Sequence, residues 1–197
     1  AVDTVTISSL VDTIHGNLNG KGTCSVPKTI PPGGSYACSF TAAVTGQPGT
    51  SETDVVPASG TDDAAHPLSD SDDATVTIQD VPSAIRVTKT ATPDMIAEPG
   101  GNVTFNVVIN NLSITDTVVI DSLIDSIHGN LNGKGTCSVP KTIPPGGSYS
   151  CSFQAPVTGA PGHFEMDIVT AEGTDDDGNP VGDDDTATVT IGNLPSE

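Results

Sequence analysis

Tryptophan is absent, and two tyrosines and four phenylalanines supply all the aromatic surface in 197 residues. A chain this poor in rings cannot line a sugar cleft or stack a base, and its cores must be small and aliphatic. Basic residues are scarce too: 6 stand against 25 acidic ones, for a net charge of −19. With no basic patch to neutralise phosphates, nucleic acid is excluded as a natural partner, and anionic membrane surfaces with it. No stretch approaches the ~20 apolar residues of a transmembrane helix, so no membrane insertion is expected. There is no GxSxG elbow and no CxxC pair, which removes the commonest nucleophile, zinc and redox signatures. The start, AVDTVTISSL, is neither basic nor a signal-type apolar run. These absences together predict a protein that is not an enzyme.

What is present is repetition. Ile14 to Tyr36 (IHGNLNGKGTCSVPKTIPPGGSY) recurs unchanged as Ile127 to Tyr149, at an offset of 113 (137 − 24 for the first cysteine) that holds to Ile78 and Ile191. Self-similarity at a fixed period is the signature of a repeat array. Ala1 aligns with Ile114, so the stretch from Ala84 to Ser113 has no counterpart in the first copy. The expected organisation is a partial repeat over 1–83 and a complete one over 84–197. Two readings follow for the partial copy. Either the chain is an excerpt of a longer repeat protein, or another molecule donates the missing strands.

The elements read as strands. Thr, Val and Ile dominate between turns marked by 21 Gly and 16 Pro. In the complete copy the expected strands are 85–91, 102–110, 116–124, 135–139, 148–157, 163–172 and 185–191. Val103, Phe105, Val107 and Ile109 share one face, as do Ala187, Val189 and Ile191. Phe164, Met166 and Ile168 are expected inward, with Glu165 and Asp167 outward. Thr92 to Gly101 reads as a loop. Seven short strands with turns between them predict an all-β fold, tandem antiparallel immunoglobulin-like β-sandwiches with the first incomplete. The linker Gln79 to Ser83 is short and contains Pro, which predicts a stiff spacer.

Each copy carries one cysteine pair, Cys24 with Cys38 and Cys137 with Cys151. Between the partners, Pro32–Gly33 and Pro145–Gly146 suit the centre of a type II turn. Two hairpin disulfides are the expectation, and they imply an oxidising setting, extracellular or at a cell surface.

The stretch RVTKTATPDMIAEPGGNVTFNVVINN, the CSVP…IPPGGSYSCSF hairpin and the ending TAEGTDDDGNPVGDDDTATVTI together resemble a tandem surface-protein repeat of unknown function, found in large secreted bacterial and archaeal proteins. The resemblance implies an immunoglobulin-like or prealbumin-like module in a cell-surface or filamentous protein. It implies architecture more than activity.

Few constellations carry chemistry. Asp175, Asp177 and Asn179 alternate around Gly178, and Asp183 and Asp185 follow. Such a set of hard oxygen ligands predicts a calcium loop. In the first copy Ala64 and His66 replace Asp177 and Asn179, so weak or no binding is expected there. His15, His66, His128 and His163 lack a second histidine nearby in sequence and read as loop or packing residues. Asn102 and Asn111 head sequons and are candidate glycan acceptors. Lys89, with Glu165 and Asn193, has the makings of an intramolecular isopeptide bond, although a surface lysine is the plainer reading. The function expected from all this is mechanical: a stalk or filament module whose partners are neighbouring repeats or copies of itself, end to end. The alternatives are an adhesive ligand-binding module, or a subunit that polymerises by strand donation into the incomplete first domain.

Overall fold

The computed structural model describes residues 3–193. Every regular element among them is a strand, and the chain separates into two compact units, Ala1–Asp80 and Val81–Glu197. The boundary falls inside the Pro-containing linker.

The first unit holds β1 (Val5–Asp12), β2 (Gly16–Asn17), β3 (Lys28–Ile30), β4 (Ser51–Asp62) and β5 (Pro67–Thr77). They form one sheet in the order β2-β1-β4-β5, with β3 also on β1. The second unit holds β6 (Ile85–Thr92), β7 (Met95–Ala97), β8 (Gly100–Asn111), β9 (Val118–Asp125), β10 (Gly129–Asn130), β11 (Lys141–Ile143), β12 (Ser148–Thr158), β13 (Phe164–Asp175) and β14 (Pro180–Gly192). These build two sheets. One runs β10-β9-β13-β14-β7, with β11 also on β9, and the other runs β12-β8-β6.

Alternation explains the core. Val103, Phe105, Val107 and Ile109 occupy every second position of β8, and all four are essentially inaccessible to water. In the β8–β12 ladder they stand opposite Ala155, Phe153, Cys151 and Tyr149. The same core includes Val118, Ile120 and Leu123 from β9, Val169 and Ala171 from β13, and Ala187, Val189 and Ile191 from β14. Both sheets therefore contribute to one aliphatic core with two stacked phenylalanines, Phe105 and Phe153, at a centroid distance of 5.3 Å.

Several expectations change. Nine strands replace seven, because β7 forms inside the Thr92–Gly101 stretch read as a loop and the short β10 follows β9. β7 pairs with β14 in parallel, so the ladders are not all antiparallel. The segment 135–139 is not a strand; β11 lies beyond it and pairs with β9, while β12 pairs with β8. The turn between the cysteines thus crosses from one sheet to the other instead of closing a ladder. Its chemistry is as anticipated: Gly33 and Gly146 take φ of 71° and 65°, and Gly34 and Gly147 donate to Pro31 and Pro144 at 2.9 Å.

β13 is turned over relative to expectation. Phe164, Met166 and Ile168 are exposed, while Asp167 has no accessible surface. The apolar pattern of this strand changes phase at Ile168–Val169. A strand has one inner face, and Val169 and Ala171 take it, which brings Asp167 and Glu165 with them. The buried charge of Asp167 is tolerable because it meets a lysine.

Candidate functional site

The lysine is Lys89. It stands on β6 in phase with Ile85 and Val87, and only 3% of its surface is exposed. Its Nζ lies 2.6 Å from Asp125 Oδ2 and 2.6 Å from Asp167 Oδ1, and all three side chains are sealed from solvent. The Asp125 contact is a hydrogen bond. The Asp167 contact lies off the hydrogen-bonding directions, so both Asp167 oxygens lack a hydrogen-bond partner. Nζ is also 4.9 Å from the centroid of the Phe105 ring. The surface lysine expected from sequence is therefore a core residue, and its neighbours are Asp125 and Asp167.

Asp125 ends β9 and caps the turn that follows. Its Oδ1 accepts the backbone N–H groups of Ile127 at 3.0 Å and His128 at 2.8 Å. Burial pushes the carboxyl up, but the Lys89 hydrogen bond and the His128 and Ile127 N–H groups outweigh it and hold the carboxyl below its ordinary value. His128 packs against Phe105 and Phe153, at centroid distances of 5.3 and 5.5 Å. Its Nε2 is 3.3 Å from Asp167 Oδ2 and 3.6 Å from Glu165 Oε1. His128 is thus both a packing residue and a neighbour of the charged cluster.

The first unit keeps this cluster without its lysine. Asp12, His15, Glu52 and Asp54 occupy the positions of Asp125, His128, Glu165 and Asp167, and the strand that would bring the ammonium is missing. His15 Nδ1 instead faces Asp12 at 3.2 Å and Asp54 at 3.7 Å. Glu52 Oε1 and Asp54 Oδ1 have no hydrogen-bond partner. Asp12–His15–Asp54 and Asp125–His128–Asp167 are each close enough to hold a metal ion. In the second unit the Lys89 ammonium already contacts both carboxylates of the set.

Both disulfides form, Cys24–Cys38 and Cys137–Cys151, each with a Cα–Cα separation of 4.8 Å. They tie a loop before β3 or β11 to the segment after the turn. In the second unit Thr136 N donates to Ser152 O at 2.8 Å, and Ser138 N donates to the Tyr149 hydroxyl at 2.7 Å. Gly135 lies so close to Ser152 O that a Cβ would collide with it. The first unit repeats the arrangement with Thr23 N to Ser39 O at 2.9 Å and Ser25 N to Tyr36 at 2.8 Å. Yet residues 36–45, the counterpart of β12, form no ladder. Their partner would be a counterpart of β8, and the described residues of the first unit hold none. Ile7, Leu10, Leu18, Tyr36, Phe40 and Val56 consequently line an open apolar groove.

Of the five residues of the anticipated calcium loop, Asp175, Asp183 and Asp185 accept backbone N–H groups. Asp175 Oδ1 accepts the N–H groups of Asp177 at 3.1 Å and Asn179 at 2.7 Å, closing the β13–β14 turn. Asp183 and Asp185 alternate along β14, and their Oδ2 atoms accept Val87 N and Lys89 N, both at 2.7 Å. These carboxylates join β6 to β14, and so one sheet to the other. Among the described residues, Asp177 is the one of the five that belongs to a cluster able to hold a metal ion, with Asp116 and Asp176. Sequence reading missed Asp116, whose carboxyl is lowered chiefly by the Ser83 hydroxyl; only the turn-over of the chain brings it to Asp176.

The two sequons differ. Asn102 is exposed. Asn111 is buried, and its Nδ2 donates to the carbonyls of Asp116, Ile143 and Pro144 at 2.8, 3.1 and 3.2 Å. A glycan on that nitrogen is incompatible with the folded unit, which corrects the expectation for Asn111. His66 bonds Asp62 at 2.9 Å, and His163 is exposed. No helix among the described residues is long and apolar enough to cross a membrane. Set against known proteins, the chain matches no family model and no curated sequence.

Proposed function

We propose that this chain belongs to an extracellular structural protein, a stalk or filament shaft built from immunoglobulin-like β-sandwich repeats. The observation that carries the reading is the open apolar groove of the first unit. It lies on the face that β6 and β8 cover in the second, so the first unit is built to be covered by repeat-type strands. Those strands come from a preceding repeat of the same protein or from a second copy. The repetition, the two disulfides and the cross-sheet carboxylates all favour modules that resist being pulled apart. The resemblance to tandem surface-protein repeats points the same way.

Pulling the chain from its two ends tests this. The second unit should open at clearly higher force than the first, and each unit should stop extending at its disulfide until reductant is added. A second unit that yields at forces no higher than the first would count against a mechanical role. Sedimentation at rising concentration separates the two sources of covering strands. Growth into chains supports donation by a second copy, and a steady monomer supports a preceding repeat.

An adhesive role has one observation in its favour. Phe164, Met166 and Ile168 form an exposed apolar stripe on β13, and the first unit has Ser51, Thr53 and Val55 instead. A cation at Asp116, Asp176 and Asp177 would meet oxygen ligands only, which suits calcium.

A further inference from the structure

Lys89 presents an amine and a carboxyl group to each other in a dry core, with a second carboxylate beside both. Nζ is 2.6 Å from Asp167 Oδ1 and 2.6 Å from Asp125 Oδ2, with no side-chain exposure on the lysine. The two carboxyls are not equivalent. Asp125 takes hydrogen bonds from Lys89, Ile127 and His128, which stabilise its anion and blunt its carbon as an electrophile. Asp167 takes none on either oxygen. Burying a charge without hydrogen bonds is costly, and an ion pair in apolar surroundings gains little net stability. Fixed contact between the reacting groups replaces the entropy cost of bringing them together.

We propose that Lys89 and Asp167 condense into an intramolecular amide, with Asp125 as the proton carrier. The ammonium gives one proton through Asp125 Oδ2 to the Asp167 carboxylate, leaving a neutral amine and a neutral acid. The nitrogen lone pair attacks Cγ of Asp167. The second Nζ proton passes through Asp125 to a hydroxyl of the tetrahedral intermediate, the C–O bond breaks and water leaves. His128 Nε2, 3.3 Å from Asp167 Oδ2, stands within reach of that departing hydroxyl. One ammonium and one carboxylate become one amide and one water, with no oxidant or co-reactant. The amide N–H then faces the Asp125 carboxylate, so one buried charge remains where there were three. The bond would join β6 to β13, and so one sheet to the other. This inference is independent of the stalk reading.

Intact mass of the unreduced chain under denaturing conditions is the test. The native chain should be one water lighter than its disulfide-bonded sequence. The loss is one water and not two, because the first unit has Asp12 and Asp54 but no counterpart of the β6 segment that carries Lys89. Fragmentation should give a branched peptide joining Lys89 to Asp167. Lys89→Arg should return to full mass. Asp167→Asn should reach the same final mass as the native chain, with ammonia leaving in place of water. Asp125→Ala should keep full mass. Should that variant misfold, the native mass and the branch point still decide. A native chain at full mass, a branch on Asp125, or a water loss that persists in Lys89→Arg would each overturn the proposal.

Discussion

Residues 14–36 and 127–149 are identical in sequence and differ in surroundings. Leu18 and Leu131, and Cys24 and Cys137, are buried in both units. Ile30 and Tyr36 are only half-buried, whereas Ile143 and Tyr149 belong to the core. Farther from the repeated segment the gap widens: Val76 is 49% exposed and its counterpart Val189 is 0%. The same residues therefore hold their local shape wherever a disulfide and a few backbone bonds suffice. They bury their apolar faces only where β6 and β8 arrive. Local chemistry makes the arch, and distant strands make the core.

The largest effect that sharpens this contrast is loss of the central ring. Phe105→Ala should destabilise the second unit by about 3–5 kcal/mol, as an unfilled core cavity does. The first unit should be unchanged. Two thermal transitions, only one of which moves, would establish it; a shift in both would show that the units are not independent.

Removing the staples comes next. Replacing Cys137 and Cys151 by Ser should cost the second unit about 3 kcal/mol in the chain-entropy view, while β12 stays on its β8 ladder. The same change at Cys24 and Cys38 should release residues 36–45, which have no ladder to hold them. Limited proteolysis reads the difference. Cleavage within 36–45 should become rapid, and cleavage within 149–158 should stay slow.

The smallest effect is a pH response at corresponding turns. Asp62 matches Asp175 in position, and the His66 backbone N–H, with help from the His66 ring and the Ala64 N–H, holds the Asp62 carboxyl below its ordinary value. A carboxyl lowered by folding stabilises the native turn above the unfolded value near 3.8, and that contribution fades as pH falls through the lowered folded value. The β4–β5 turn should hold constant from neutral pH down to that range and then loosen. Chemical shifts of the Ala64 amide, which donates to Asp62 Oδ1 at 2.9 Å, would follow it across an acid titration, and an amide that does not move at the acid end would contradict a carboxylate origin.

Alternation made much of the second unit legible. Val103 to Ile109 on β8 and Ala187 to Ile191 on β14 are regular enough to name their inner faces from sequence alone. β13 was not legible, because its apolar residues change phase at Val169 and the inward position of Asp167 depends on a lysine 78 positions earlier (167 − 89). The same distance hid the charged cluster. Lys89, Asp125 and Asp167 lie on three strands in two sheets, and no spacing in the chain announces them. The acidic ending read as a metal loop because its alternation of Asp residues is real. On β14 that alternation also gives acceptors to the Val87 and Lys89 N–H groups of β6. Cysteine pairing was legible from the repeat and the Pro–Gly turn, but the crossing between sheets was not, since a turn of that kind closes a hairpin equally well.

Above all, the first unit differs from the second for want of the strands that residues 84–113 supply. A copy of residues 84–113 placed directly ahead of Ala1 restores the alignment of Ala1 with Ile114. Hydrogen exchange of Val5–Asp12 and Ser51–Thr77 should then slow to the rates of their counterparts in β9, β13 and β14. Exchange in the first unit that stays as fast as before would contradict that cause.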